Sequence, residues 1–130
     1  MQDIESMKMK KYHRVPLEFH DQIAVAQYLR LRYPDALWSA TAGGLRTSYS
    51  QAKRMKAMGL RRGVPDLLIF EPRGRYHGLA IEMKRESGGV LSAEQKWWID
   101  ELNKRGYKAV ICRGYADAIS QIDDYFADAI

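Results

Sequence analysis

A single cysteine, Cys112, stands in the 130 residues. That excludes an internal disulfide and a multi-cysteine zinc site, and it fits a reducing cytosol. The histidines, His13, His20 and His77, lack the mutual spacing of a zinc motif. No stretch approaches the roughly 18 uninterrupted apolar residues of a membrane helix. Met1 to Lys11 alternates charge with Met and Ile and has no apolar signal-peptide core. Repeats and low-complexity tracts are missing too, and no Asp or Glu occurs between Ala36 and Pro65. What is present, 46% hydrophobic and 28% charged residues, supports one packed domain at this length.

The acid-free stretch carries Arg46, Lys53, Arg54, Lys56, Arg61 and Arg62. Residues 1–65 hold twelve Lys/Arg against five Asp/Glu, whereas residues 114–130 hold four acids and no base. Such a one-signed segment suits a polyanion through counterion release. It also suits a plain solvated helix face, and charge alone leaves both readings open.

Local pattern predicts helices and strands in turn. Pro16 opens a helix with Phe19, Ile23, Ala26 and Leu29 as its apolar stripe, stopping before Tyr33-Pro34. Leu37 to Thr41 is β-permissive, and Gly43-Gly44 breaks the chain. Thr47 to Met58 reads as a basic helix capped by Ser48 or Ser50 and stopped by Gly59. Strands follow at Leu67 to Phe70 and Gly78 to Lys84, joined by a turn at Pro72 to His77. A helix from Ser92 to Arg105, a strand from Lys108 to Arg113 and a last helix from Ala116 complete the order. The last helix places Ile119, Ile122, Phe126 and Ile130 on one face. The expectation is mixed α/β, one sheet flanked by helices, with residues 1–15 as a flexible basic arm and 16–130 as one domain.

Chemistry concentrates in two strands. In Glu82-Met83-Lys84, alternation puts Glu82 and Lys84 on the same face of an otherwise apolar strand. A buried charge there requires a partner or a metal. The similar Glu94-Gln95-Lys96 lies in a predicted helix, where residues two apart diverge. Asp66, in Gly63-Val64-Pro65-Asp66, alone reads as a turn residue after proline. If its strand neighbours that of Glu82, two carboxylates converge, and a divalent cation relieves their repulsion. Oxygen ligands suit Mg²⁺ or Mn²⁺. Gln95 has two readings, a capping-box partner of Ser92 or an amide aimed into the site. Glu18 likewise either complements a helix dipole or acts as an outer ligand or water holder. Cys112 reads as core. Of Trp97 and Trp98, one is expected in the core and the other at an interface or under the basic helix.

Taken in order, Gly63 to Asp66, Glu82 to Lys84, and Gln95 after Ser92 resemble the VRR-NUC branch of the PD-(D/E)xK nucleases, from about Glu18 to the final helix. The resemblance implies a restriction-endonuclease-like core with Asp66, Glu82 and the Met83 backbone carbonyl as metal ligands. It also implies Lys84 beside the attacking water, with Glu18 and Gln95 in support. It is similar to the stand-alone type of phages and prophages, which implies a homodimer acting on branched DNA in the cytoplasm of a bacterial or phage-infected cell. The competing readings are a flap endonuclease or exonuclease of the same fold and a non-catalytic DNA-binding module.

Overall fold

Residues 19–42 and 48–129 are described by the structure, a computed structural model. The arm at 1–15, the helix start at Pro16, Glu18, Gly43-Gly44, Arg46, Thr47 and Ile130 lie outside the described residues.

Helix α1 (His20–Arg32) stops where the Tyr33 N–H closes on the Leu29 carbonyl at 3.0 Å, and the following proline disfavours another turn. Strand β1 (Trp38–Ala40) leads to the basic helix α2 (Tyr49–Ala57), which Ser48 and Gln51 start with a reciprocal capping box. Strands β2 (Leu67–Ile69) and β3 (Leu79–Lys84) follow, then α3 (Ala93–Lys104), β4 (Lys108–Arg113) and α4 (Tyr115–Ala127). Spatial order equals chain order. β1–β2 and β2–β3 are antiparallel, and β3–β4 is parallel with α3 as its crossover. Mixed α/β with one flanked sheet is what the sequence pattern implied.

Alternation along β3 divides the domain into layers. Leu79 and Ile81, with Leu67, Ile69 and Cys112, pack against Val25 and Leu29 of α1 and Ala118, Ile122 and Tyr125 of α4. The opposite face, carrying Ala80 and Glu82, meets α3. There Asn103 clasps Ala109 of β4, donating to its carbonyl at 3.1 Å and accepting from its N–H at 3.0 Å. β3 is therefore covered on both sides, which explains its unbroken apolar run up to Glu82.

Several expectations need correcting. In α1 the fully buried residues are Val25 and Leu29, while Phe19, Ile23 and Ala26 are only half-buried. The helix therefore packs one step round from the expected stripe. In α4, Ala118 and Tyr125 are buried with Ile122, leaving Ile119 and Phe126 partly open. Strand β2 ends at Ile69, and Phe70 is half exposed. Neither Trp97 nor Trp98 belongs to the buried core. Helix α2 buries no residue at all. Among the described residues no helix is long and apolar enough to cross a membrane.

Candidate active site

The site lies where β2 and β3 part. Their register pairs Leu67 with Ile81, so one further step sets Asp66 opposite Glu82 on the face shared with Lys84. Pairing stops there because Asp66 bends away. The Thr41 N–H donates to the Asp66 carbonyl at 2.9 Å, and the Thr41 hydroxyl donates to the Pro65 carbonyl at 2.8 Å. The Met83 N–H, left without a β2 partner, instead donates to Asp66 Oδ2 at 2.8 Å. Main chain and side chain of Asp66 are thus both fixed.

Glu82 is 3% exposed. Its Oε1 accepts from Gln95 Nε2 at 2.8 Å and lies 3.9 Å from Lys84 Nζ. Its Oε2 is buried and accepts no hydrogen bond. Burial, then the negative charge of Asp66, push the Glu82 carboxyl up to about 8, with Lys84 pulling the other way. Burial raises Asp66 as well, opposed by the Met83 N–H, by hydrogen bonding with Glu82 and by the Lys84 charge. Two crowded acids, one with a buried oxygen that accepts no hydrogen bond, form a donor set suited to a cation.

Gln95 does both things the sequence allowed, at once. Its Oε1 accepts from the Ser92 N–H at 2.9 Å, completing the capping box, while its Nε2 holds Glu82. The amide has donor and acceptor ends for two separate tasks. Helix α3 reaches the sheet because of Gly63. A Cβ there would lie 2.5 Å from the Glu94 backbone carbon, and its φ of +88° disfavours any other residue. The Trp98 indole N–H donates to the Arg62 carbonyl at 2.9 Å, pinning the same loop.

A hollow of about 340 Å³ opens beside Lys84, lined also by Asp21, Met83 and Gly88. Sequence reasoning passed over Asp21, although it stands in the first turn of α1 and follows Glu18 by three residues in the sequence. It also passed over Thr41, whose place at the end of β1 was the available signal.

Among the described residues no three His, Cys, Asp or Glu side chains cluster as a metal site. Two carboxylates opposite each other on one sheet face still fit a hard divalent cation, which commonly keeps several waters and takes one or two carboxylates. Of the basic residues, Lys53, Arg54 and Lys56 project from α2 and Arg61 and Arg62 follow in the loop, all exposed. Arg61 lies over the rings of Trp97 and Trp98, 5.1 and 5.2 Å from their centroids.

A search of curated proteins found no match. A solved structure described as a VRR_NUC domain protein is similar at 29% identity and a TM-score of 0.73, over 89% of this chain and 93% of that one. The profile of the VRR-NUC domain matches residues 17–116, most of the chain and all three motifs. The chain belongs to the VRR-NUC family of nuclease domains.

Proposed function

We propose that this domain is a metal-dependent endonuclease that hydrolyses phosphodiester bonds in branched DNA, four-way junctions foremost. The observation that carries the reading is the pair of acids, Glu82 buried opposite Asp66 with one oxygen that accepts no hydrogen bond and Lys84 Nζ 3.9 Å from the other. A single Glu82–Lys84 ion pair does not call for a second crowded acid; a ligand set does.

Asp66, Glu82 and the Met83 backbone carbonyl would hold Mg²⁺ or Mn²⁺. When bound, such an ion polarises a phosphoryl oxygen and lowers the pKa of water. The protein's own groups do the rest. Gln95 fixes the orientation of Glu82, and Asp66 is held by Met83 and Thr41, so the acids are set before substrate arrives. Lys84 orients the attacking water and offsets negative charge growing on the phosphate. Glu18 is assigned a supporting role toward the same water. The basic residues Arg46, Lys53, Arg54, Lys56, Arg61 and Arg62 grip the sugar–phosphate backbone, giving affinity without sequence readout. Paired nicks across a four-way junction need two such sites on opposite strands, so the working form is a homodimer.

Cleavage assays on junction, flap, nicked and linear DNA of one sequence test this. Glu82→Ala and Lys84→Ala should each lose about 10²-fold or more in rate while still binding DNA. Wild-type cutting by either variant removes the assignment, and equal cutting of all four substrates removes the preference for branched DNA.

A further inference from the structure

A second hollow, larger than the one beside Lys84, lies elsewhere on the domain. A cleft of about 1200 Å³ separates α2 from the start of α3, above the roughly 300–1000 Å³ of ordinary small-molecule pockets. One wall is aromatic. Trp97 and Trp98 meet edge-on, with centroids 5.8 Å apart, and Trp97 is 45% exposed. The opposite wall is α2, which supplies Lys53 and Lys56, and the loop after it supplies Arg61 and Arg62. Glu94 is the acid among the described lining residues, facing four bases.

These features point to one kind of occupant. A large open aromatic surface costs solvation unless something covers it, and a cationic rim selects against a plain apolar partner. Paired duplex offers phosphates but keeps its base faces stacked. An unpaired nucleotide offers both, a π-face and a phosphate, and aromatic platforms flanked by basic side chains hold single strands in this way. Arg61, which lies over both rings, adds a guanidinium, and guanidinium planes also accept bases. Position agrees through the loop: Arg62 on the cleft's rim is pinned by the Trp98 indole and stands four residues before Asp66.

We propose that this cleft takes an unpaired nucleotide of the DNA substrate, its base stacked on Trp97 and Arg61 and its phosphates held by Lys53, Lys56 and Arg62. The inference rests on the nucleic-acid reading above and deepens it. It makes the domain a reader of unpaired arms, with the cleft fixing which part of a branched molecule approaches the acids.

The test compares two fluorescent hairpins in EDTA, one blunt and one ending in a short thymidine arm, by anisotropy at fixed salt with the full chain. Wild type should bind the armed hairpin more tightly. Trp97→Ala should lose about tenfold on the armed hairpin and clearly less on the blunt one, and Trp97→Phe should recover most of the loss. Tryptophan fluorescence should be quenched by oligothymidine in wild type and less so in Trp97→Ala. Trp98 is left intact because it pins Arg62.

No change in arm affinity, or an equal loss on both hairpins, overturns the proposal. So does light scattering that shows a wild-type dimer and a Trp97→Ala monomer, since the cleft then receives a second copy of this chain. Lys84→Ala separates the two readings. If it cuts normally while arm binding depends on Trp97, the nuclease site is misassigned and the cleft stands. If it is dead and Trp97→Ala binds as wild type, the cleft alone falls.

Discussion

Replacing Glu82 by Gln keeps the side chain's shape and deletes its buried charge, and the two consequences have opposite sign. In the fold, burial and the Asp66 charge raise the Glu82 carboxyl from its usual 4.5 to about 8, a proton that the two acids hold together. The folded state therefore binds the extra proton, and this carboxyl makes stability fall as pH rises through that window. Relaxation and water entry limit the penalty of a buried carboxylate, and about 1–3 kcal/mol is the expected gain for Glu82→Gln at pH 9. The Gln95 amide keeps an acceptor in the new side chain, and the new amide can donate toward Asp66. Thermal melts in EDTA at pH 6 and pH 9 should show the variant several degrees more stable at pH 9, with the gap shrinking at pH 6. Added Mn²⁺ should raise the melting temperature of wild type and leave the variant nearly unmoved. A variant less stable than wild type at pH 9, or a gap independent of pH, refutes the reasoning.

Other substitutions probe the supports. Gly63→Ala drives a Cβ into the Glu94 backbone at positive φ; denaturant melts should show a loss of at least about 2 kcal/mol, with cleavage falling as α3 is pushed off Glu82. Lys53→Ala with Arg54→Ala should weaken DNA binding and flatten the slope of log affinity against log salt by about 1–2. Asp123 accepts from the Tyr28 hydroxyl at 2.7 and 2.8 Å and from the Tyr33 hydroxyl at 2.6 Å, tying α1 to α4. Asp123→Ala should cost about 1 kcal/mol. Burial, then the Asp123 bond and charge, push Tyr33 up to about 12 from its usual 10, so this hydroxyl makes wild-type stability fall between those values as pH rises. The variant should show a shallower fall in alkaline melts.

Much of this architecture was legible because local rules and burial agreed. β4 runs from Lys108 to Arg113 as read from its apolar run, and α3 starts at the Ser92 cap. Asp66 and Glu82 could be brought together on paper because a short turn joins two apolar strands, which makes them antiparallel neighbours. Their register, which sets the acids opposite each other, depends on pairing that no short stretch of chain reveals. The double use of Gln95 was equally hidden. A capping box looks the same from sequence whether the amide's other end meets water or Glu82. Val25 displaced the expected stripe in α1 because the packing angle against α4 chooses which apolar residues face inward. The tryptophans misled for a related reason: their size suggests core, but they line a cleft opposite α2, and that cleft exists only in three dimensions.

The central claim, that Asp66 and Glu82 hold one cation between them, is tested most directly by calorimetric titration of Mn²⁺ into wild type, Asp66→Asn and Lys84→Ala. The expected result is saturable binding in wild type, kept in Lys84→Ala and lost in Asp66→Asn. An Asp66→Asn protein that takes up Mn²⁺ like wild type contradicts it.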